Sequence, residues 1–166
     1  LYATLQELNE EKRNIMTVED PVEYTLDGIN QVQVKEDIDL TFAAALRSFL
    51  RQDPDIIMLG EIRDETTALM AIRAALTGHL VLSTIHTNSA WEITSRLIDL
   101  GVPDFLVAGT LNLAVAQRLL RKLCSCKKES QKAIEFPISF SPTVRPEQYF
   151  EPTGCAACYY TGYKGR

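Results

Sequence analysis

The sequence predicts an α/β fold, a mostly parallel sheet flanked by helices, with a small cysteine-bearing subdomain after it. Three observations predict this. The short apolar runs at Ile56–Leu59 and at 80–84 are rich in branched residues and have the length of buried strands. Helical patterns alternate with such strands up to about residue 123, which is how βαβ units are built. Beyond that point the chain carries four cysteines, four prolines and scattered polar residues.

Each element has a local reason. Residues 1–9 read as a helix without a cap, and 14–18 as a short strand ending at Glu19-Asp20-Pro21. Asp27-Gly28 is a turn signal, and 30–34 alternates as a strand after it. Thr41 can cap a helix with Phe42, Leu46, Phe49 and Leu50 on one face. The Ile56 strand is entered through Asp53-Pro54-Asp55 and left through Gly60-Glu61. Asp64 can cap the next helix, with Leu69, Ile72 and Leu76 as its stripe and Gly78 as its stop. A second buried strand is expected at 80–84. Ser89 and Glu92 have capping-box spacing, opening a helix that ends near Gly101, and 103–123 reads as a longer helix.

At 166 residues and 46% hydrophobic, the chain can hold one ordinary domain plus a small appendage. The net charge of -5 argues against a general nucleic-acid binder. There is neither a run of membrane-spanning length nor a signal peptide, so a soluble, cytoplasmic chain is expected. The opening Leu1-Tyr2-Ala3 is already helical and lacks an initiator Met. We read the chain as an internal piece of a longer protein.

Chemistry-bearing residues collect at strand ends. The first strand ends at Glu19-Asp20, the Ile56 strand at Glu61, and the strand in HLVLSTIHTN at His86. If the strands are parallel, these groups share one rim, where open α/β sheets bind ligands. Carboxylates there can orient a water or hold Mg²⁺, and a histidine can polarise or sense a phosphate. A strand-end acid also serves as a plain helix cap, but three clusters in register favour a site. His79 follows Gly78 and opens its strand, and by itself reads as structural. No GxxxxGK[ST] loop occurs in the chain.

These residues resemble a known family, the secretion ATPases that drive type II secretion and type IV pilus assembly. Its signature, [apolar]-R-x-x-P-D-x-[three apolar]-G-E-[apolar]-R-D, is met by Leu50, Arg51, Pro54, Asp55, Ile57, Met58, Leu59, Gly60, Glu61, Ile62, Arg63 and Asp64. Thr17-Val18-Glu19-Asp20-Pro21-Val22-Glu23-Tyr24 resembles the family's aspartate box. Gly78-His79-Leu80-Val81-Leu82-Ser83-Thr84-Ile85-His86-Thr87 resembles its histidine box, and Ala116-Gln117-Arg118-Leu119-Leu120-Arg121 the stretch before its cysteine subdomain. The resemblance spans essentially the whole chain.

It implies a RecA-like P-loop NTPase core at 1–123, lacking its Walker A loop, and a four-cysteine zinc-binding subdomain at 124–166. It also implies a hexameric ring with ATP between subunits. Glu61 takes the place of the atypical Walker B glutamate that activates the attacking water. Glu19 helps to position that water or the Mg²⁺. Asp20, Arg63, His79 and His86 fall to nucleotide binding or sensing, the histidines coupling loss of the γ-phosphate to domain motion. Gly60 stands where the usual Walker B motif has Asp, so metal coordination should lean on the phosphate-loop hydroxyl, bound water and the aspartate box. The partners implied are copies of the chain and inner-membrane platform proteins, which would hold a cytoplasmic protein peripherally at that membrane. No nucleic acid is expected. Without its phosphate loop the chain alone should neither bind ATP tightly nor hydrolyse it. The alternative is a non-hydrolysing, zinc-stabilised assembly module of the same machine.

Cys124, Cys126, Cys155 and Cys158 form two close pairs about thirty residues apart. In a cytosolic chain, such pairs favour a structural Zn²⁺ site over disulfides, with free thiols as the alternative. The family's first pair is usually Cys-x-x-Cys. Here it is Cys124-Ser125-Cys126, too short for the same knuckle. Lys127 and Lys128, beside Arg121 and Lys122, read as a solvated face that could also contact a platform protein. Arg47 and Arg51 lie one helical turn apart and can anchor to the aspartate box or to a neighbouring subunit.

Overall fold

The structure is a computed structural model that describes residues 1–130 and 148–166. Of the four prolines expected in the subdomain, Pro137, Pro142 and Pro146 lie outside the described residues. The chain divides into two compact units, Leu1–Ala116 and Gln117–Arg166.

In the first unit four parallel strands form a sheet in the order β2-β1-β3-β4. They are β1 (Ile15–Glu19), β2 (Asn30–Gln33), β3 (Ile56–Leu59) and β4 (Leu80–Ser83). β1 and β3 are central and wholly buried. Because side chains alternate along a strand, β3 serves two cores. Ile56 and Met58 pack with Ile15, Leu26 and Leu5 of α1 (Tyr2–Leu8). Ile57 and Leu59 pack on the other face, against α2 (Phe42–Phe49) and α3 (Glu65–Leu76). Helices α4 (Glu92–Asp99) and α5 (Asp104–Thr110) extend that second core through Leu97 and Val107.

The caps follow the sequence closely. Thr41 Oγ1 accepts from the Ala44 N–H, and Asp64 Oδ1 from the Thr67 N–H. At the end of α3 the Gly78 N–H donates to Ala75 O and the His79 N–H to Ala74 O, a Schellman closure with Gly78 at φ +104. Gly101 and Val102 close α4 the same way, on Ile98 O and Leu97 O.

Five expectations are corrected. β4 is an edge strand with Leu80 45% exposed, since among the described residues it pairs with β3 alone. The buried face of α3 is made of Thr67, Ala68, Ala71, Ile72 and Ala74, and Leu76 is exposed. Small residues let that helix lie close to the sheet. Of the expected stripe, Ile72 is buried and Leu69 packs against the core, while Leu76 falls outside it. Helix α4 opens at Glu92, and no capping box forms with Ser89. The Glu92 carboxylate instead accepts from the Asn88 N–H. β1 and β2 are joined by residues 20–29 without a helix, so the alternation is not strict.

Finally, the helix expected over 103–123 stops at Thr110. Gly109 and β-branched Thr110 weaken its last turn. Beyond it Leu113, Val115, Leu119 and Leu120 remain largely exposed, with no buried face to hold a helix.

The second unit is held by a bridge between Leu123 and Tyr163, by the Cys124 N–H on Gly162 O, and by a two-stranded antiparallel ribbon, β5 (Lys128–Glu129) and β6 (Phe150–Glu151). Arg121 stacks on the Tyr163 ring at 3.9 Å. No described helix is long and apolar enough to cross a membrane.

Candidate functional site

Because β1, β3 and β4 run parallel, their carboxyl ends share one rim of the sheet. Glu19 closes β1, Gly60-Glu61 follow β3, and His86 lies three residues past β4. Gly60 permits a close approach there. Its N–H donates to Val18 O at 2.7 Å, and a Cβ on it would stand 3.3 Å from Glu19 Cα and from Val18 O. The glycine found where the usual motif has Asp therefore lets the β3 exit pass tightly beside Glu19. Thr84 Oγ1 donates to Gly60 O at 2.6 Å and fastens the same turn to the β4 side.

Glu61 is 9% exposed. Its Oε2 accepts from Arg63 Nε at 2.5 Å and faces His86 Nε2 at 3.1 Å. The Arg63 hydrogen bond leads in holding the Glu61 carboxyl below its usual range. Burial opposes that effect, while the Arg63 charge and His86 assist it. Arg63 in turn is held above its ordinary range by Glu61. Its Nη1 lies 3.9 Å from Asp20 Oδ2, so one guanidinium spans the ends of two strands. The His86 side chain is 85% exposed and faces solvent as well as Glu61.

Glu19 is 3% exposed, and both its oxygens are engaged. Oε1 accepts from Thr17 Oγ1 at 2.5 Å and from Gln31 Nε2 at 3.1 Å. Oε2 accepts from the Tyr2 hydroxyl. Burial first, and then this bond to Glu19, push the Tyr2 hydroxyl above its ordinary pKa. Donors from α1, β1 and β2 thus orient this carboxylate from both of its oxygens.

The rim thus brings together Glu61, Arg63, His86, Asp20 and Glu19. It does not include His79. That residue sits at the amino end of β4, seven residues before His86, or about 20 Å of extended chain. His79 Nδ1 lies 2.8 Å from Ala74 O and 3.1 Å from Thr77 Oγ1, closing the end of α3. Arg47 and Arg51 make no ion pair among the described residues. Arg47 instead lines a groove of about 550 Å³ between α2 and α3 with Leu50, Leu69, Met70 and Arg73.

Tyr2, Thr17, Gln31 and Thr84 were not singled out from the sequence. Two of them carried a signal. Thr17 lies two residues before Glu19, on the same strand face, and Gln31 is its register partner on β2. Tyr2 carried none.

In the second unit the four cysteine sulfurs lie within 4.8 Å of one another. Cys124–Cys155 and Cys126–Cys158 are 3.9 Å apart and Cys155–Cys158 3.8 Å. Tetrahedral zinc with bonds of about 2.3 Å needs sulfurs about 3.8 Å apart, so the donor set fits the ion. The short Cys124-Ser125-Cys126 pair thus converges with the longer pair. The Cys155 and Gly162 N–H groups donate to Cys158 Sγ at 3.1 and 3.3 Å. Burial pushes the Cys158 thiol up, but these N–H groups and the Cys155 and Cys126 thiols outweigh it and bring it to about 6. The Cys126 sulfur beside Cys155 pushes that thiol up to about 11. Adjacent thiolates repel, and a bound cation would remove that conflict.

Comparison with known proteins bears on the whole chain. Residues 1–166 match the family described as "Type II/IV secretion system protein". The type IV pilus assembly ATPase PilB of Acinetobacter baylyi is 56% identical over 172 residues, covering 100% of this chain and 30% of that protein. Type II secretion system protein E of Klebsiella pneumoniae is 49% identical over 166 residues, covering 100% and 33%. The chain therefore spans about a third of the length of these relatives. Among solved structures, the pilus retraction motor PilT with bound ADP matches with a TM-score of 0.67 and 39% identity, over 75% of this chain and 39% of that one. The ATPase DotB of Legionella pneumophila matches with a TM-score of 0.53 and 33% identity, over 63% and 31%.

Proposed function

The chain belongs to the type II/IV secretion system protein family, and on that premise we propose that the full-length protein is an ATP-hydrolysing motor for type II secretion or type IV pilus assembly. The observation that carries this is the Glu61 carboxylate, buried at the end of β3 and bonded to both Arg63 and His86.

The proposed reaction is an in-line attack of water on the γ-phosphate. Arg63 keeps Glu61 ionised, ready to accept a hydrogen bond from that water. A carboxylate held below its usual pKa is a weak base, so its main task is to orient the water, not to remove its proton. His86, exposed and in contact with Glu61, is placed to respond when charge at the γ-position is lost. Glu19 supports this geometry from β1, and Asp20 does so through Arg63. The position of His79 supports a role in capping α3, at a distance from the phosphates.

Bound ATP would supply the phosphoryl group, and Mg²⁺ would neutralise its charge. The cradle for the phosphates is assigned to parts of the protein beyond these 166 residues, which contain no GxxxxGK[ST]. The 166-residue chain alone is accordingly expected not to hydrolyse ATP. We assign Zn²⁺ to the four cysteines as a structural ion. A ring of six copies, docked on inner-membrane platform proteins from the cytoplasmic side, follows from the same reading.

One observation favours the second reading, a non-hydrolysing assembly module. Both carboxylate oxygens of Glu19, and Oε2 of Glu61, already accept from groups of the chain itself. Turnover by the full-length protein decides between the two. Hydrolysis that is lost with Glu61→Gln supports the motor, and a protein that binds ATP without hydrolysing it supports the module.

A further inference from the structure

We propose that Tyr2 is a positioning residue that fixes Glu19 and the loop following it in the arrangement hydrolysis requires. This rests on the motor reading, and it adds a residue that the site did not contain. Tyr2 makes three separate contacts with the segment Glu19 to Tyr24. Its hydroxyl donates to Glu19 Oε2. The Tyr2 hydroxyl oxygen also accepts from the Glu23 N–H at 3.2 Å. Its ring meets that of Tyr24 edge to face, with centroids 4.6 Å apart and planes at 78°.

Glu19 Oε1 is satisfied from the sheet by Thr17 and Gln31. Among the described residues Tyr2 is the donor that reaches Oε2, so it sets the rotation of the carboxylate. The platform is firm, because Leu5, one turn further along α1, is fully buried against Ile15, Ile56 and Met58. The consequence reaches the second carboxylate. Asp20 adjoins Glu19 and faces Arg63 at 3.9 Å, and Arg63 bonds Glu61. A chain of contacts thus runs from α1 through the end of β1 to the water-orienting group on β3. Removing the hydroxyl would leave a buried carboxylate oxygen without its donor and free the loop behind it.

The test is Tyr2→Phe in the full-length protein, which keeps the ring on Tyr24 and removes only the hydroxyl. Two readouts are needed. Hydrogen exchange in the peptide covering 21–26 reports the tie itself, whether or not the protein hydrolyses ATP. It should quicken about tenfold or more, since the Glu23 N–H loses its acceptor. Steady-state kinetics report the positioning role. We expect kcat to fall about tenfold or more with KM for ATP within about twofold, as misplacement of a catalytic group does. In Tyr2→Phe combined with Glu19→Gln, kcat should be no lower than with Glu19→Gln alone, because the two act as one unit. Unchanged exchange at 21–26 would overturn the tie. Quickened exchange with unchanged kcat, or additive losses in the double variant, would overturn the positioning role. Absence of hydrolysis in the unmutated protein would overturn the motor reading and the positioning role with it, while the exchange comparison still decides whether the tie exists.

Discussion

Arg63 is the residue on which the electrostatics of the rim turn. Its Nε contact with Glu61 keeps a buried carboxylate charged, and its other arm reaches Asp20. A lowered carboxylate pKa contributes stability above the ordinary value of 4.5, and that contribution is lost as pH falls through the lowered value. Under the proposed function the same linkage would set the acidic limit of turnover. Arg63→Ala should let the Glu61 carboxyl rise, so the acidic limb of the kcat profile should move to higher pH, and an unmoved limb would count against the pairing. The places of Glu61, Glu19 and His86 at or just past strand ends were legible in the sequence, because each follows a short apolar run rich in branched residues. The Arg63–Glu61 bond was not, since a loop decides whether residues two apart meet. Tyr2 was not legible either, as its partner lies seventeen residues away across a turn that no periodicity describes.

At the level of elements, helix ends were the clearest features. Thr41, Asp64, Gly78 and Gly101 all punctuate helices where a hydroxyl, carboxylate or left-handed glycine is needed. The interiors were less clear. Three alanines with Thr67 and Ile72 form the buried side of α3, and apolar residues after Thr110 carry a helical period without burial to sustain it. Helical period shows what a segment could do, whereas packing decides what it does. His79 illustrates the difference. Its place in a motif suggested the phosphates, and its ring meets Ala74 O and the Thr77 hydroxyl at the end of α3. His79→Ala should therefore lower stability by about 0.5–1.5 kcal/mol and reduce kcat less than His86→Ala does. Thermal unfolding alongside turnover of both variants checks this. Equal loss of kcat would return His79 to the site.

For the molecule as a whole, two units gather two different sets of polar side chains, carboxylates at a sheet rim and four cysteines. The first was foreseen as a parallel sheet, because βαβ connection leaves little choice of handedness or direction once the strands are identified. The edge position of β4 was not foreseen, since strand order depends on partners a local pattern does not name. The second unit is too small for a large core and gathers its cysteines within metal-binding distance. Purified full-length protein should contain one zinc per chain by elemental analysis, and Cys158→Ser should release it. A protein without bound metal would leave four free thiols. The central claim, that Glu61 drives hydrolysis from the β3 rim, is tested most directly by measuring ATP turnover and ATP affinity of the full-length protein with and without Glu61→Gln. The account predicts a fall in kcat of about a hundredfold or more with affinity nearly unchanged. Retained turnover in the variant would contradict it.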